Sequence, residues 1–124
     1  MDLHVTASAR QDPIAHALDE RVHMFVWHND EVRASHLDMI ILAHSPDCPN
    51  HIWRHRRYPA WGIQGHPEVS AAQAQGWFEG SRARLEADGA DVAGIKKSAV
   101  NAIDADTMLV NFMTKARSGQ LKAA

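Results

Sequence analysis

The amino-acid sequence predicts an α/β fold, strand-rich over residues 1–66 and helical over residues 69–118. Two observations support this prediction. Short apolar and β-branched segments separated by turns occupy the first part of the chain, and helical spacing of apolar residues dominates the last third. A chain of 124 residues can bury one moderate core, so a single domain over residues 1–124 is expected.

The first expected elements are a strand, a small helix and a second strand. Leu3–Thr6 is short and β-prone, and Val22–Trp27 is a β-prone run bounded by charged residues. Between them, Asp12 and Pro13 have the residue types of an N-cap and a first helical position. A small helix is therefore expected to run from Asp12 to Leu18.

Three further strands are expected in the middle of the chain. Met39–Ala43 is a continuous apolar run, as in a strand that is covered on both faces. His51–Arg54 and Ala60–Gln64 are the other two, and Pro67 restricts His66 to extended geometry, so the last strand must end in a turn. Because few helices separate the five strand segments, neighbouring strands should pair antiparallel or through short links. This chain alone would leave one face of the sheet poorly covered.

The rest of the chain has helical signals. Ser70 and Gln73 form a capping-box pattern, and Gly89 is a residue type that ends helices. A second helical region is expected over Val92–Arg117, with an aspartate-capped break inside it, and residues 118–124 are expected to fray. The candidate caps are Asp104 and Asp106, and the apolar helix faces comprise Ala74, Trp77, Phe78, Ser81 and Leu85, then Ile95, Ala99, Ile103, Met108, Leu109 and Phe112.

Composition argues against several functional classes. The net charge of −2 gives no strong attraction to nucleic acid or to an anionic membrane. No apolar run approaches the ~20 residues that span a bilayer, and the first residues lack the pattern of a signal peptide. A single cysteine, Cys48, allows no internal disulfide. We therefore expect a cytoplasmic protein with no nucleic-acid or membrane partner.

Nine histidines raise the question of a metal site. His51 and His55 are four residues apart, but strand and turn residues separate them, so they would not share a helical face. Without a His-Glu-x-x-His motif or a cysteine pair, we expect neither a metal site nor a cofactor. Four other histidines are expected at the surface or its boundary: His4, His16, His23 and His36. The tryptophans are expected in core packing: Trp27, Trp53, Trp61 and Trp77. The basic cluster is expected to form a solvated turn and not to bind an acidic ligand: Arg54, His55, Arg56 and Arg57.

Three segments, in order, resemble motifs of the class I glutamine amidotransferase family. Residues 26–32, V-W-H-N-D-E-V, resemble the family's W-H-G-D-x-V, and residues 44–51, H-S-P-D-C-P-N-H, resemble S-S-x-x-C-P-N-Q. Residues 62–68, G-I-Q-G-H-P-E, resemble G-[VI]-Q-F-H-P-E. Their order and spacing are similar to those of amidotransferases related to the glutaminase domain of GMP synthase. The resemblance covers nearly the whole chain, but only the C-terminal half of the family's domain.

The resemblance implies both a fold and a chemistry. It implies a partial flavodoxin-like sheet with C-terminal helices, and a Cys–His–Glu triad that hydrolyses glutamine through a thiolate. In that triad His66 would be the base and Glu68 the carboxylate that orients it. Three positions depart from the pattern, because Gly65 replaces the usual Phe, Asn29 the usual Gly and His51 the usual Gln.

The family's nucleophile elbow, G-x-C-x-G, has no counterpart in this sequence. Only 27 residues precede His28, and none of them is cysteine. Cys48 lies beside Asp47, which would raise its pKa, and it aligns with a position that is not catalytic in the family. We therefore expect a chain that is inactive alone and supplies His66 and Glu68 to a glutamine site.

The partner expected from this interpretation is a Cys-bearing amidotransferase half or a synthase subunit. The alternative function is a non-catalytic binding or regulatory module. With either function, an uncovered sheet edge or apolar face could pair with a second copy of the chain, so a homo-oligomer is expected.

Overall fold

The computed structural model describes residues 1–33 and 38–121, without the side chains of Ile103 and Asp104. The predictions made for His36 and for these two side chains lie outside the described residues. A strand-rich first part is followed by four helices, so the predicted α/β class is confirmed. The helices are α1 (Ala71–Gly80), α2 (Arg82–Ala87), α3 (Val92–Ser98) and α4 (Ile103–Arg117).

Seven strands form two sheets in the described part of the chain. They are β1 (Asp2–Val5), β2 (Arg21–His23), β3 (Phe25–Val26), β4 (Met39–His44), β5 (Ile52–His55), β6 (Trp61–Ile63) and β7 (Gly65–His66). The larger sheet has the order β2-β1-β4-β5-β6, and the smaller sheet consists of β3 and β7. Every one of these pairs is antiparallel, which confirms the predicted pairing.

The strand predicted over Val22–Trp27 is divided at Met24, whose side chain is completely buried. Before this point β2 pairs with β1 in the larger sheet, and after it β3 pairs with β7. The division therefore sends one continuous β-prone segment into both sheets. Because β3 and β7 are antiparallel, the following segment, residues 27–33, runs towards Gln64, which precedes β7.

The small helix predicted from Asp12 to Leu18 is wrong. Residues 13–17 form turns, and a 3-10 helix over Ala7–Gln11 precedes them. Asp12 does cap this segment, because its carboxylate accepts hydrogen bonds from the backbone N–H groups of Ile14 and Ala15, both at 2.9 Å. Short-range capping without continuing i to i−4 bonds stabilises a turn and not a helix.

Helix α1 begins as the sequence predicts. Ser70 Oγ accepts a hydrogen bond from Gln73 N, and Gln73 Oε1 accepts one from Ser70 N at 3.0 Å, which completes the capping box. The helix is interrupted at Ser81 and continues as α2. The chain then turns at Gly89 in the left-handed region, with φ of 83°, so the predicted stop is confirmed.

The second helical region breaks earlier than predicted. Asp91 caps α3 by accepting a hydrogen bond from Gly94 N at 3.0 Å, and α3 ends at Ser98. Residue Ala99 is extended, and α4 begins at Ile103. The break thus lies before α4, and Asp106 lies inside that helix, so the prediction that an aspartate at 104 or 106 caps the break is wrong for Asp106.

Two apolar clusters hold the fold together. The larger one lies between the five-stranded sheet and α4, and the smaller one joins β3 to α1 through Phe25, Val69 and Ala74. Buried residues of the larger cluster include Leu3, Leu18, Val22, Leu42, Ile52, Ala105 and Met108. Two residues expected on buried helix faces are instead exposed, Trp77 by 47% and Leu109 by 36%. Among the described residues, the helices are too short or too polar to cross a membrane.

Candidate active site

His66 and Glu68 lie where the smaller sheet meets helix α1. His66 ends β7 directly opposite Phe25, and Pro67 leads into the turn before the helix. The His66 Nδ1 and Glu68 Oε1 atoms are 2.9 Å apart, so the two side chains form the contact that the sequence predicted. When Nδ1–H donates to this carboxylate, Nε2 carries the lone pair that can accept a proton.

The electrostatics of this pair favour an ionised Glu68. Burial would raise the pKa of Glu68, but hydrogen bonds from His66 and from a backbone N–H outweigh burial and hold the pKa below 4.5. The carboxylate is therefore charged at neutral pH. A charged carboxylate at this distance can accept a hydrogen bond from Nδ1–H and so orient the His66 ring.

Two aromatic rings also contact the His66 ring. The Phe25 ring centroid is 5.7 Å from that of His66, and the Trp77 ring meets the imidazole edge-on at 6.0 Å. Trp27 stacks on Phe78 at 5.6 Å with an interplanar angle of 13°. A cavity of about 410 Å³ opens here, lined by Trp27, His66, Gly76, Trp77, Gly80 and Ser81. Trp77, expected in the core, is thus a half-exposed wall of this cavity.

Gly65, which replaces the usual Phe, is required by close packing. A Cβ at this position would lie 2.2 Å from Met24 Sδ and 2.7 Å from Met24 Cγ. Such distances cannot occur without displacing Met24, which is completely buried at the break between β2 and β3. The Met24 side chain therefore fills the space beside the strand that carries His66.

Hydrogen bonds join the three segments that resemble family motifs. Gln64 Oε1 accepts from Val32 N at 2.7 Å, while Gln64 Nε2 donates to Cys48 Sγ at 2.9 Å. Asn50 Nδ2 donates to Val32 O at 2.7 Å. The loop after β3, the turn before β5 and the strand region before His66 are therefore held together by Gln64 and Asn50.

Cys48 does not share a cavity lining with His66. Cys48 is buried in the turn between β4 and β5, where its backbone N–H donates to Ser45 Oγ and its sulfur accepts from Gln64. It lines a larger cavity of about 800 Å³ together with residues 27–31 of the loop after β3, whereas His66 lines the smaller one. Trp27 borders both cavities and lies between them.

A histidine and cysteine cluster lies on the wall of the larger cavity. His28, Cys48 and His51 each offer one ligand atom, and these atoms lie within 4.8 Å of one another. From the sequence, only His51 and His55 were compared as candidate metal ligands, because they are four residues apart. In the structure Cys48, three residues before His51 in the same turn, and His28, from the loop after β3, are the neighbours of His51. The Cys48-x-x-His51 spacing is visible in the sequence, whereas the approach of His28 depends on the tertiary structure.

The basic cluster of residues 54–57, which begins within β5, has a partly structural role. Arg54 Nη1 lies 3.7 Å from Asp12 Oδ2, whose carboxylate also accepts from Trp61 Nε1 at 3.1 Å. Arg57 forms an ion pair with Asp38, and its backbone N–H donates to His55 Nδ1 at 3.0 Å. Arg54 therefore compensates a buried charge, His55 ends strand β5, and only Arg56 and Arg57 lie in the expected turn.

Comparison with known proteins identifies a family match. The sequence matches the family described as Glutamine amidotransferase class-I over residues 2–79, which is more than half of the chain. It is 33% identical over 60 residues to a glutamine-hydrolyzing GMP synthase subunit of Pyrococcus abyssi, covering 48% of this chain and 32% of the relative. The protein of the same name from Methanococcoides burtonii is 37% identical over 60 residues, with the same coverage. The matched part spans about a third of the length of these relatives.

Proposed function

Because this chain belongs to the class I glutamine amidotransferase family, we propose that it supplies the general base and the orienting carboxylate of a glutamine-hydrolysing site. His66 is the proposed base and Glu68 the proposed orienting residue. The 2.9 Å contact between Nδ1 and Oε1 carries this proposal, because it leaves Nε2 to exchange protons with reacting groups. The lowered pKa of Glu68 supports it further.

The proposed reaction proceeds through a thioester. His66 Nε2 accepts the proton of a cysteine thiol, and the thiolate attacks the side-chain amide carbon of glutamine. As the C–N bond breaks, His66 returns the proton to the departing ammonia. Water, deprotonated by the same imidazole, then hydrolyses the thioester, so that glutamate leaves and the thiol is restored. Glu68 holds the tautomer and stabilises the imidazolium in each proton transfer.

We propose that the thiol belongs to a segment outside this sequence, either in the same polypeptide or in a partner chain. Cys48 is unsuited to the role, because it is buried and lines a different cavity from His66. The matched relatives are named as subunits of a GMP synthase. By analogy, the ammonia would pass from this site to a synthase partner.

The proposal is tested by measuring glutamate release from glutamine. The purified chain alone should give only background release, and co-expression with the Cys-bearing half of a class I amidotransferase should restore turnover. The Cys48→Ala chain tests the assignment of the nucleophile. Release by the chain alone that disappears in Cys48→Ala would identify Cys48 as the nucleophile and overturn the proposal.

Exposed apolar residues on α4 favour the second candidate function, a binding module that associates with a protein partner or with itself. Val110 is 62% exposed and Met113 48% exposed, and Leu109 lies beside them. Such side chains are costly in water unless a partner covers them. In light scattering, self-association predicts a mass above 13.8 kDa. A monomeric mass at every concentration would contradict the homo-oligomer.

A further inference from the structure

The His28, Cys48 and His51 side chains form a cluster that the proposed glutamine chemistry does not use. His28 follows β3, and the other two residues lie in the turn between β4 and β5. Their ligand atoms lie within 4.8 Å of one another, and the His28 and His51 rings meet edge-on with centroids 5.6 Å apart. Two imidazoles and one thiol are thus collected from two distant parts of the sequence.

Two ring nitrogens in this cluster are buried without a hydrogen-bond partner among the described residues. They are Nε2 of His28 and Nδ1 of His51, and His51 as a whole is only 1% exposed. His51 Nε2 is 3.1 Å from Ser45 Oγ, so this nitrogen is satisfied. Nδ1 then lacks a donor if it carries the lone pair and lacks an acceptor if it carries the proton. A buried polar atom without a partner is destabilising, and a cation bound at this nitrogen would satisfy it.

We propose that His28, Cys48 and His51 together bind one zinc ion. Imidazole nitrogen and thiolate sulfur are the ligands that Zn²⁺ prefers, with bonds of roughly 2.0–2.3 Å. Tetrahedral ligands at those bond lengths lie roughly 3.3–3.8 Å apart, so a small rotation of the partly exposed His28 closes the site. The thiol of Cys48 loses its proton to solvent when the ion binds.

The surroundings of the cluster suit a metal ion. Ser45 Oγ can accept from His51 Nε2–H, which fixes the tautomer with its lone pair on Nδ1, as groups behind metal ligands commonly do. His51 is almost completely buried, and its ring meets that of His28 edge-on, so Nδ1 faces the interior of the cluster and not bulk solvent. Gln64 Nε2 donates to Cys48 Sγ at 2.9 Å, an arrangement that stabilises the charge of a thiolate.

The proposed site opens onto the larger cavity, so an ion can enter from solvent. All three ligands line this cavity, as do the acidic residues Asp30 and Asp47, and their negative charge favours a cation. Three protein ligands fill three positions of a tetrahedral ion. The fourth would face the cavity and hold water or a small ligand.

The test is metal binding by the full chain, measured without glutamine. After removal of metal with a chelator, equilibrium dialysis with Zn²⁺ should give one bound ion per chain. Co²⁺ used as a spectroscopic substitute should give the absorption of tetrahedral coordination together with a thiolate-to-metal charge-transfer band. No bound zinc, or a cobalt spectrum without the thiolate band, would overturn the proposal.

Variants identify the ligands. Cys48→Ser and His28→Ala should each weaken zinc binding at least about 100-fold, since outer-shell changes alone cost roughly 10–100-fold. His28 is partly exposed, so its variant should fold even where a change at buried His51 does not. His16→Ala is the matched control, because His16 is exposed and lies outside the cavity lining. Equal loss in the control, or no loss in the ligand variants, would contradict the assignment. Because glutamine is absent, neither outcome depends on the role of His66.

Discussion

At the scale of single residues, the site depends on how Glu68 is held. Its carboxylate is about half exposed, so solvent screens the ion pair and its contribution to stability is small. In the proposed function its contribution is orientation, because a hydrogen-bonded carboxylate selects one tautomer and one ring direction for His66. The sequence predicted that His66 ends a strand and that Glu68 follows it in a turn. The aromatic wall formed by Phe25 and Trp77 could not be predicted, because it depends on the pairing of β3 with β7.

Glu68 should titrate below 4.5 in the folded chain, and His66→Ala should raise its pKa. Because the folded-state pKa is lowered, the stabilisation is present above the unfolded pKa and is lost as the pH falls through the folded one. Carboxyl ¹³C NMR titration measures this shift. His55→Ala is the control, and an unchanged Glu68 pKa in His66→Ala would contradict the hydrogen bond.

Gly65→Ala should lower the free energy of unfolding by about 1–3 kcal/mol, because the new methyl group must displace buried Met24. Gly76→Ala is the matched control, since a Cβ at that helical position meets nothing within 4 Å. The control should be neutral or stabilising by up to about 1 kcal/mol. Urea unfolding measures both variants, and equal stability of Gly65→Ala and the wild type would disprove the packing argument.

At the scale of elements, helix α1 fixes the turn that carries Glu68. Ser70→Ala removes the acceptor for the N–H of Gln73 and should cost about 1 kcal/mol of stability. Ser118→Ala, in an exposed position after α4, should change stability by less than about 0.5 kcal/mol. Thermal unfolding compares the two variants, and a Ser70→Ala chain as stable as the Ser118→Ala chain would show that the capping box is not formed.

Local signals predicted the elements that depend on local chemistry. The capping box at Ser70 and the turn at Gly89 are present as expected, because both are determined within a few residues. The division of the strand at Met24 and the early break before α4 were missed. Both result from packing between segments far apart in the sequence, and apolar spacing alone does not report such contacts.

At the scale of the whole molecule, two cores serve different purposes. The larger core between the five-stranded sheet and α4 supplies most of the buried apolar residues, while the smaller core joins β3 to α1 and includes Phe25, whose ring contacts His66. The segments resembling family motifs meet between these cores, tied by Gln64 and Asn50. The order and spacing of these motifs predicted the family. Their contacts, and the histidine and cysteine cluster that results, required the tertiary structure.

The most direct test of the central claim is the rate of glutamine hydrolysis by the His66→Ala chain, co-expressed with a Cys-bearing amidotransferase half. Loss of a general base should lower the rate by roughly 10²–10⁴-fold relative to the wild-type chain in the same complex. His16→Ala, an exposed histidine outside both cavity linings, is the control and should retain the wild-type rate. A wild-type rate in His66→Ala would contradict the assignment of His66 as the base.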